Sequence, residues 1–273
     1  MRLATAIAAI ALAVTAAGCV DRTTAPHDTV PPAAPRGVFS ITGDNQVELR
    51  WLANTESDVV GYRIYMAPCA TGSGCPYDRV GSTSATSFNV SGLTNGVTRY
   101  YAVGAVDGAG NESALSYETV FDTPRPAGTG AILYNFVSSP SIAGWDISSV
   151  TVRPFDDPAT DVFFGNNGSV SQMFAADTYT DIQDAGYGAT LDAVTWAPAS
   201  GWSPTGTVEL IVGHCYVVWT RDDHYAKFRV TSVSSSAVHF DWAYQTATSN
   251  PELRAKRPRE EGGPKSRQVA WIR

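Results

Sequence analysis

Alternation of polar and apolar side chains with a period of two is the feature that most narrows what this chain can fold into. In Gln46-Val47-Glu48-Leu49-Arg50-Trp51 every second residue is apolar. Successive side chains of an extended strand point to opposite faces, so Val47, Leu49 and Trp51 share the inward face of a half-buried strand. Gly61-Tyr62-Arg63-Ile64-Tyr65 repeats the pattern with Tyr62 and Ile64 on one face. Ser87-Phe88-Asn89-Val90 is a third such run, and Tyr101, Val103 and Ala105 form a fourth inward set. Four short runs separated by turn-formers predict a two-sheet sandwich over residues 35–124. Composition points the same way. With 24 Gly, 16 Pro and only 16% charged residues, short strands and turns are favoured over helices.

The 273 residues are enough for one or two domains. The net charge is −7, and residues 249–273 alone carry seven Lys/Arg against three Asp/Glu. The remainder is therefore strongly acidic, which argues against nucleic acid as a partner because phosphates would be repelled.

Met1-Arg2 is a short basic start, and Leu3–Ala17 is almost wholly apolar. That run is shorter than the ~20 residues a bilayer span needs, and it fits the apolar region of a secretion signal. It ends Ala16-Ala17-Gly18-Cys19, which resembles the lipobox of bacterial lipoproteins. The resemblance implies a signal peptide over residues 1–18, lipidation (palmitate among the acyl groups) at Cys19, and a membrane partner through that anchor. Val20, where inner-membrane retention favours Asp, implies the outer membrane of the cell envelope. Residues 19–34 are polar and Pro-rich and read as a disordered tether.

Cys69 and Cys75 lie among turn-formers in Ala67-Pro68-Cys69-Ala70-Thr71-Gly72-Ser73-Gly74-Cys75. In an oxidising compartment they are expected to close a small disulfide loop. Cys215 sits in an apolar run and is expected to be a buried, inert thiol.

The Trp51 strand, Ser57-Asp58-Val59-Val60-Gly61-Tyr62-Arg63-Ile64-Tyr65, and the segment from Gly92 to Ser113 follow one another in the order and spacing of fibronectin type III domains. Residues 35–124 resemble that family, whose modules act as spacers or binding surfaces. One position departs from it. The family's corner tyrosine falls on Arg99, with Tyr100 next door, so the corner hydrogen bond is either shifted by a residue or lost. Asp107-Gly108-Ala109-Gly110-Asn111-Glu112 lacks the alternating ligands of a calcium loop and reads as a turn.

Residues 122–128 read as a linker by their Pro and Gly content. A second, antiparallel β-rich domain is expected over 129–248, which makes the whole chain all-β. Its expected strands are Ala131–Val137, Ser149–Arg153, Asp161–Phe164, Val208–Thr220, Tyr225–Val233 and Val238–Tyr244. Residues 165–206 are expected to be loops with one short helix near Thr190–Trp196. Arg221-Asp222-Asp223-His224 reads as a four-residue hairpin turn. Pairing Thr220 with Tyr225 then sets Trp219 opposite Ala226, Val217 opposite Phe228 and Cys215 opposite Val230, all on the core face. Tyr216, Val218, Tyr225, Lys227 and Arg229 fall on the other, amphipathic face. Residues 249–273 read as a basic disordered tail, with Val269–Ile272 as a small apolar end.

The stretch from Cys215 to Ser232, with Val238–Gln245, resembles the last strands of HmuY-like haem-binding lipoproteins; residues 144–148 and 160–164 resemble earlier pieces. The resemblance implies haem capture as an alternative function. That family places its iron ligands mid-domain, whereas residues 165–206 here hold no histidine and one methionine, Met173. No cofactor and no metal are expected from the residues themselves. His27, His214, His224 and His239 show no paired spacing, and a set of His214, His239 and Asp241 would need neighbouring strands.

No GxSxG elbow is present. The adjacent acids Asp156-Asp157 and Asp222-Asp223 would point apart on a strand, so a carboxylate-pair hydrolase is the weaker alternative, and no catalytic residue is assigned. Tryptophans carry the best binding idea. Trp219 and Trp242 are expected in the core, while Trp196 and Trp202 flank a loop where they could stack on sugars or anchor a partner. The candidate ligand residues are therefore Trp196, Trp202, His214, Tyr216, His224, Tyr225 and Lys227. The expected function is that of an envelope-anchored binding lipoprotein, not an enzyme. Its fibronectin-like spacer would present a domain for protein, carbohydrate or a small hydrophobic ligand.

Overall fold

A computed structural model describes residues 27–72 and 74–254. The expected signal peptide, Cys19, the first part of the expected tether and residues 255–273 lie outside the described residues.

Seven strands build the first unit: β1 (Phe39–Gly43), β2 (Gln46–Arg50), β3 (Val59–Ala67), β4 (Asp78–Thr83), β5 (Ser87–Ser91), β6 (Arg99–Asp107) and β7 (Val120–Asp122). They form two antiparallel sheets, ordered β1-β2-β5 and β4-β3-β6-β7, which face each other as a fibronectin type III-like sandwich. Val47, Leu49, Trp51, Tyr62, Ile64, Tyr101, Val103 and Ala105 all lie in the core between them. Each is a residue that the two-residue period places inward. Trp51 meets Tyr62 edge-on, with ring centroids 5.2 Å apart. A disulfide joins Cys69 to Cys75 in the β3–β4 connection.

Among the described residues the corner hydrogen bond is not formed. Arg99 donates to Thr98 O instead (3.2 Å), and Tyr100 packs on Phe121. Tyr101 is fully buried, and among the described residues its hydroxyl has no hydrogen-bond partner.

Ten strands follow: β8 (Ala127–Tyr134), β9 (Gly144–Asp146), β10 (Thr151–Arg153), β11 (Val162–Asn166), β12 (Ser171–Ala175), β13 (Asp181–Tyr187), β14 (Thr207–Glu209), β15 (His214–Trp219), β16 (Tyr225–Val233) and β17 (Ala237–Gln245). They make two five-stranded antiparallel sheets, β10-β9-β11-β12-β14 and β13-β15-β16-β17-β8. Trp145, Ile147, Val162, Phe164 and Met173 from the first sheet meet Ile182, Tyr216, Val218, Phe228, Val230, Phe240 and Trp242 from the second.

Several expectations need correction. Residues 165–206 hold two strands, β12 and β13, and only a 3₁₀ turn at Leu191–Ala193 where a helix was expected. The run 208–220 breaks into β14 and β15 at a turn where Gly213 takes φ 87°. The expected linker is shorter and less exposed than its composition suggests: β7 ends at Asp122, β8 begins at Ala127, and Thr123 and Arg125 between them are buried. The expected disordered tail begins too early, because Glu252 and Leu253 are buried.

The β15–β16 hairpin is shifted by one residue from its expected register. Trp219 pairs with Tyr225, Val218 with Ala226, Val217 with Lys227, Tyr216 with Phe228, and Cys215 with Arg229. The cause is the turn. Asp223 N donates to Thr220 O (3.0 Å) and Thr220 N to His224 O (2.9 Å), with Asp223 at φ 62°. This is a three-residue loop whose last residue, Asp223, forms a bulge; it is one residue shorter than the four-residue turn assumed, so Thr220 pairs with His224 and not with Tyr225. A one-residue slip exchanges the faces. Tyr216 and Val218 therefore face the main core, while Cys215, Val217 and Lys227 face away from it. That outer face is covered as well, by the loop between β13 and β14 and by residues 250–254.

Candidate functional site

The outer face of β15 and β16 is where most of the candidate side chains come together. Its floor is Cys215 and Val217, roofed by Val194, Ala197 and Leu253, with Trp202 and Tyr225 packed at the margin. The Cys215 thiol is buried as expected, although beneath this second cluster and not in the main core, and burial pushes its pKa up.

At the turn end of the hairpin three rings stand in series. Trp202 lies 6.0 Å from Trp219, and Trp219 stacks on Tyr225 at 5.5 Å with planes 21° apart. All three are half-buried, so each keeps some surface in solvent. Trp219 was expected in the main core; the register slip brings it here. A polar rim borders the row. Trp219 Nε1 donates to Asp223 Oδ1 (2.8 Å), and the Ser249 hydroxyl donates to Asp223 Oδ2. These two donors hold the Asp223 carboxyl below its ordinary pKa. His224 Nε2 lies 3.3 Å from Thr248 Oγ1, and its Nδ1 is 3.3 Å from Asp222 Oδ2. Apolar faces edged by hydroxyl, carboxylate and imidazole groups suit a ligand that has both ring faces and hydroxyls.

The other candidates separate from this row. Trp196 is 44% exposed on the covering loop, where it bridges Glu252. His214 stands at the far end of β15, five residues and roughly 17 Å from Trp219, and pairs with Asp184 (Nδ1–Oδ2 3.0 Å). Tyr216 is not on an amphipathic face. It is fully buried, accepts from Ile211 N and donates to Glu209 O, both at 2.8 Å, so it is a core residue and not a ligand contact. Lys227 is also a correction, being only 1% exposed with Nζ donating to Val194 O (2.9 Å).

Among the described residues, no group of three or more histidines and acids with converging ligand atoms lies around this row. Among the described residues, the metal-ligating side chains that converge are Asp28, Asp58 and Asp107, within 4.8 Å of one another. Asp107 already caps its own turn, accepting from Ala109 N (2.9 Å) and Asn111 N (2.8 Å). His214, His239 and Asp241 are not such a group, and Met173 is sealed between the two sheets.

One surface feature escaped sequence reasoning. Phe136, Phe155, Phe163 and Phe174 form a cluster of half-buried rings, with Phe163 and Phe174 stacked at 5.0 Å. Phe164 faces the core, so its neighbour Phe163 must face outward; the doublet Phe163-Phe164 was the available signal. Phe136 lies on Gly165, where an added Cβ would stand 2.7 Å from the ring.

No family model matches the chain. It is 35% identical over 104 residues to an amylopullulanase of Thermoanaerobacterium saccharolyticum, covering 37% of this chain and 8% of that enzyme. It is 34% identical over 127 residues to exoglucanase B of Cellulomonas fimi, covering 44% of this chain and 11% of that one. The chain thus spans about a tenth of the length of these relatives. Among solved structures, a Fn3-like protein from Clostridium thermocellum aligns at 26% identity over 34% of this chain and 92% of its own, with a TM-score of 0.29. Fold and site together describe an all-β chain of two sandwiches, the first fibronectin type III-like.

Proposed function

We propose that this chain is an envelope-anchored binding lipoprotein whose second sandwich holds a polysaccharide chain on the Trp202–Trp219–Tyr225 row. In this reading Cys19 carries the lipid, the tether and the fibronectin-like sandwich act as spacer, and the outer membrane is the support. The observation that carries the reading is the half-exposed aromatic row with its rim of Asp223, His224 and Ser249. Pyranose faces stack on such rings while hydroxyls meet the rim. The relatives lend support to the spacer part of the reading, since what an amylopullulanase and an exoglucanase share with this chain is the fibronectin type III-like portion, about a tenth of each enzyme.

Retention on insoluble starch, cellulose and chitin tests the ligand. At least one polymer is expected to retain the protein, with Trp202→Ala weakening retention about tenfold. Retention by none of the three, or full retention by the variant, would overturn the reading. The anchor is tested separately: fatty-acid labelling and membrane fractionation are both expected to be lost in Cys19→Ser.

A further inference from the structure

Residues 250–254 touch both sandwiches. They run beside the covering loop as a short added strand: Ala197 N donates to Pro251 O (2.8 Å), Leu253 N donates to Thr195 O (3.0 Å), and Trp196 bridges Glu252. Gln245 Nε2, at the end of β17, donates to Glu252 O (2.8 Å). The Leu253 side chain fills the cluster over Cys215 and Val217. On the other side Thr123 Oγ1 donates to Glu252 Oε2 (3.0 Å), and the Arg125 guanidinium donates to Leu253 O. Arg125 N in turn donates to Gly43 O at the end of β1 (3.1 Å). The first sandwich abuts the same region at Gly96, where a Cβ would stand 2.7 Å from Thr246 Oγ1 and 3.1 Å from Ala247 N.

Glu252 is the centre of this joint and is 3% exposed. Its Oε1 has no hydrogen-bond partner, and no ion pair within 4.0 Å reaches it, among the described residues. The charges that act on it are Asp122 at the end of β7 and Arg125. Asp122 is likewise buried, with Oδ2 unpartnered among the described residues. One guanidinium thus serves two buried carboxyls, and it spends its hydrogen bonds on the carbonyls of Thr123 and Leu253.

We propose that residues 250–254 are a strap fixing the joint between the two sandwiches, and that a proton taken up by Glu252 tightens it in mildly acidic medium.

The sign follows from burial. Loss of hydration, with Asp122 adding to it, pushes the Glu252 carboxyl up to about 7. A docked strap therefore binds the proton more readily than an open one between the ordinary glutamate range and about pH 7, and docking strengthens as pH falls through that window. Burial raises Asp122 too, with the same sign. Lys227, on β16 beneath the covering loop, faces Arg125, Asp192, Arg254 and Cys215, and burial holds it down to about 7. Below neutrality it is charged whether the strap is docked or open, so its contribution is flat where that of Glu252 changes.

Hydrogen–deuterium exchange of the full chain, corrected for the intrinsic pH dependence, tests this. The Leu253 and Ala197 amides are expected to be protected about tenfold more at about pH 5 than at about pH 6.5. Glu252→Gln, a neutral isostere, is expected to show the high protection at both values. The Val103 amide, deep in the first sandwich, serves as reference and should not respond. Protection that is unchanged or lower in acid, a Glu252→Gln variant that still responds, or Val103 moving in step with Leu253 would each overturn the proposal.

Discussion

Lys227 spends its charge against burial. Its amine lies under the loop bearing Val194, and lost hydration, reinforced by Arg125 and Arg254, brings its pKa down to about 7. A lysine with a depressed folded pKa binds fewer protons folded than unfolded between that value and the ordinary lysine range. The folded state therefore gains stability as pH rises through the window. Between about pH 7 and pH 9 this gain is expected to be on the order of 2 kcal/mol at most. Urea midpoints at the two pH values check it: the rise should be present in the wild type and absent in Lys227→Met. A variant with an undiminished rise would show that the amine is not the group responsible. A lysine placed by alternation on an amphipathic face is ordinarily solvated, so nothing local in Tyr225-Ala226-Lys227-Phe228 signals that a distant loop closes over it. Tyr216 was misread for the same reason, since its burial depends on which side of β15 meets the other sheet.

The first sandwich was legible where a strand buries one face only, as β2 does, because alternation then names that face without ambiguity. Val47, Leu49 and Trp51 illustrate the point. In β15 both faces are buried, and Cys215-Tyr216-Val217-Val218-Trp219 is apolar at every position, so its pattern is silent about which side is the core. Register then depended on the turn, and the turn depended on one residue. Asp223 sits at φ 62°, a left-handed conformation that Asp tolerates and β-branched residues do not. Asp223→Val is accordingly expected to be less stable than Asp223→Gly by about 1–2 kcal/mol. Both variants lose the carboxylate that holds Trp219 and Ser249, so thermal denaturation of the pair isolates the backbone contribution. Equal midpoints would mean that the bulge relaxes without strain, and the account of the slipped register would fail with it. β13 was missed because Asp, Ala and Gly dilute its alternation, and β12 because its large apolar residues, Met173 and Phe174, are adjacent and do not alternate; their pairing to β11 and β15 supplies the order.

Two sandwiches on one chain unfold separately unless their contacts carry comparable free energy. The persistence of the joint here rests on buried polar groups, and Arg125 is the one that touches all sides. It lies 3% exposed, bonded through its backbone to Gly43 and through its side chain to Thr123 and Leu253. Its charge also offsets Asp122 and Glu252. Replacing it with methionine keeps most of the apolar volume and leaves two carboxyls without a facing cation and the Leu253 carbonyl without that donor. Removing one member of a buried charged set typically costs about 3–5 kcal/mol. That loss is confined to the joint, so it should fall on the coupling and not on either core. Calorimetry of the wild-type chain is expected to give one transition and Arg125→Met two, the upper one close to the wild-type midpoint. A single transition in the variant, shifted bodily downward, would mean that Arg125 supports one core directly. Two transitions already present in the wild type would mean that the strap does not couple the sandwiches.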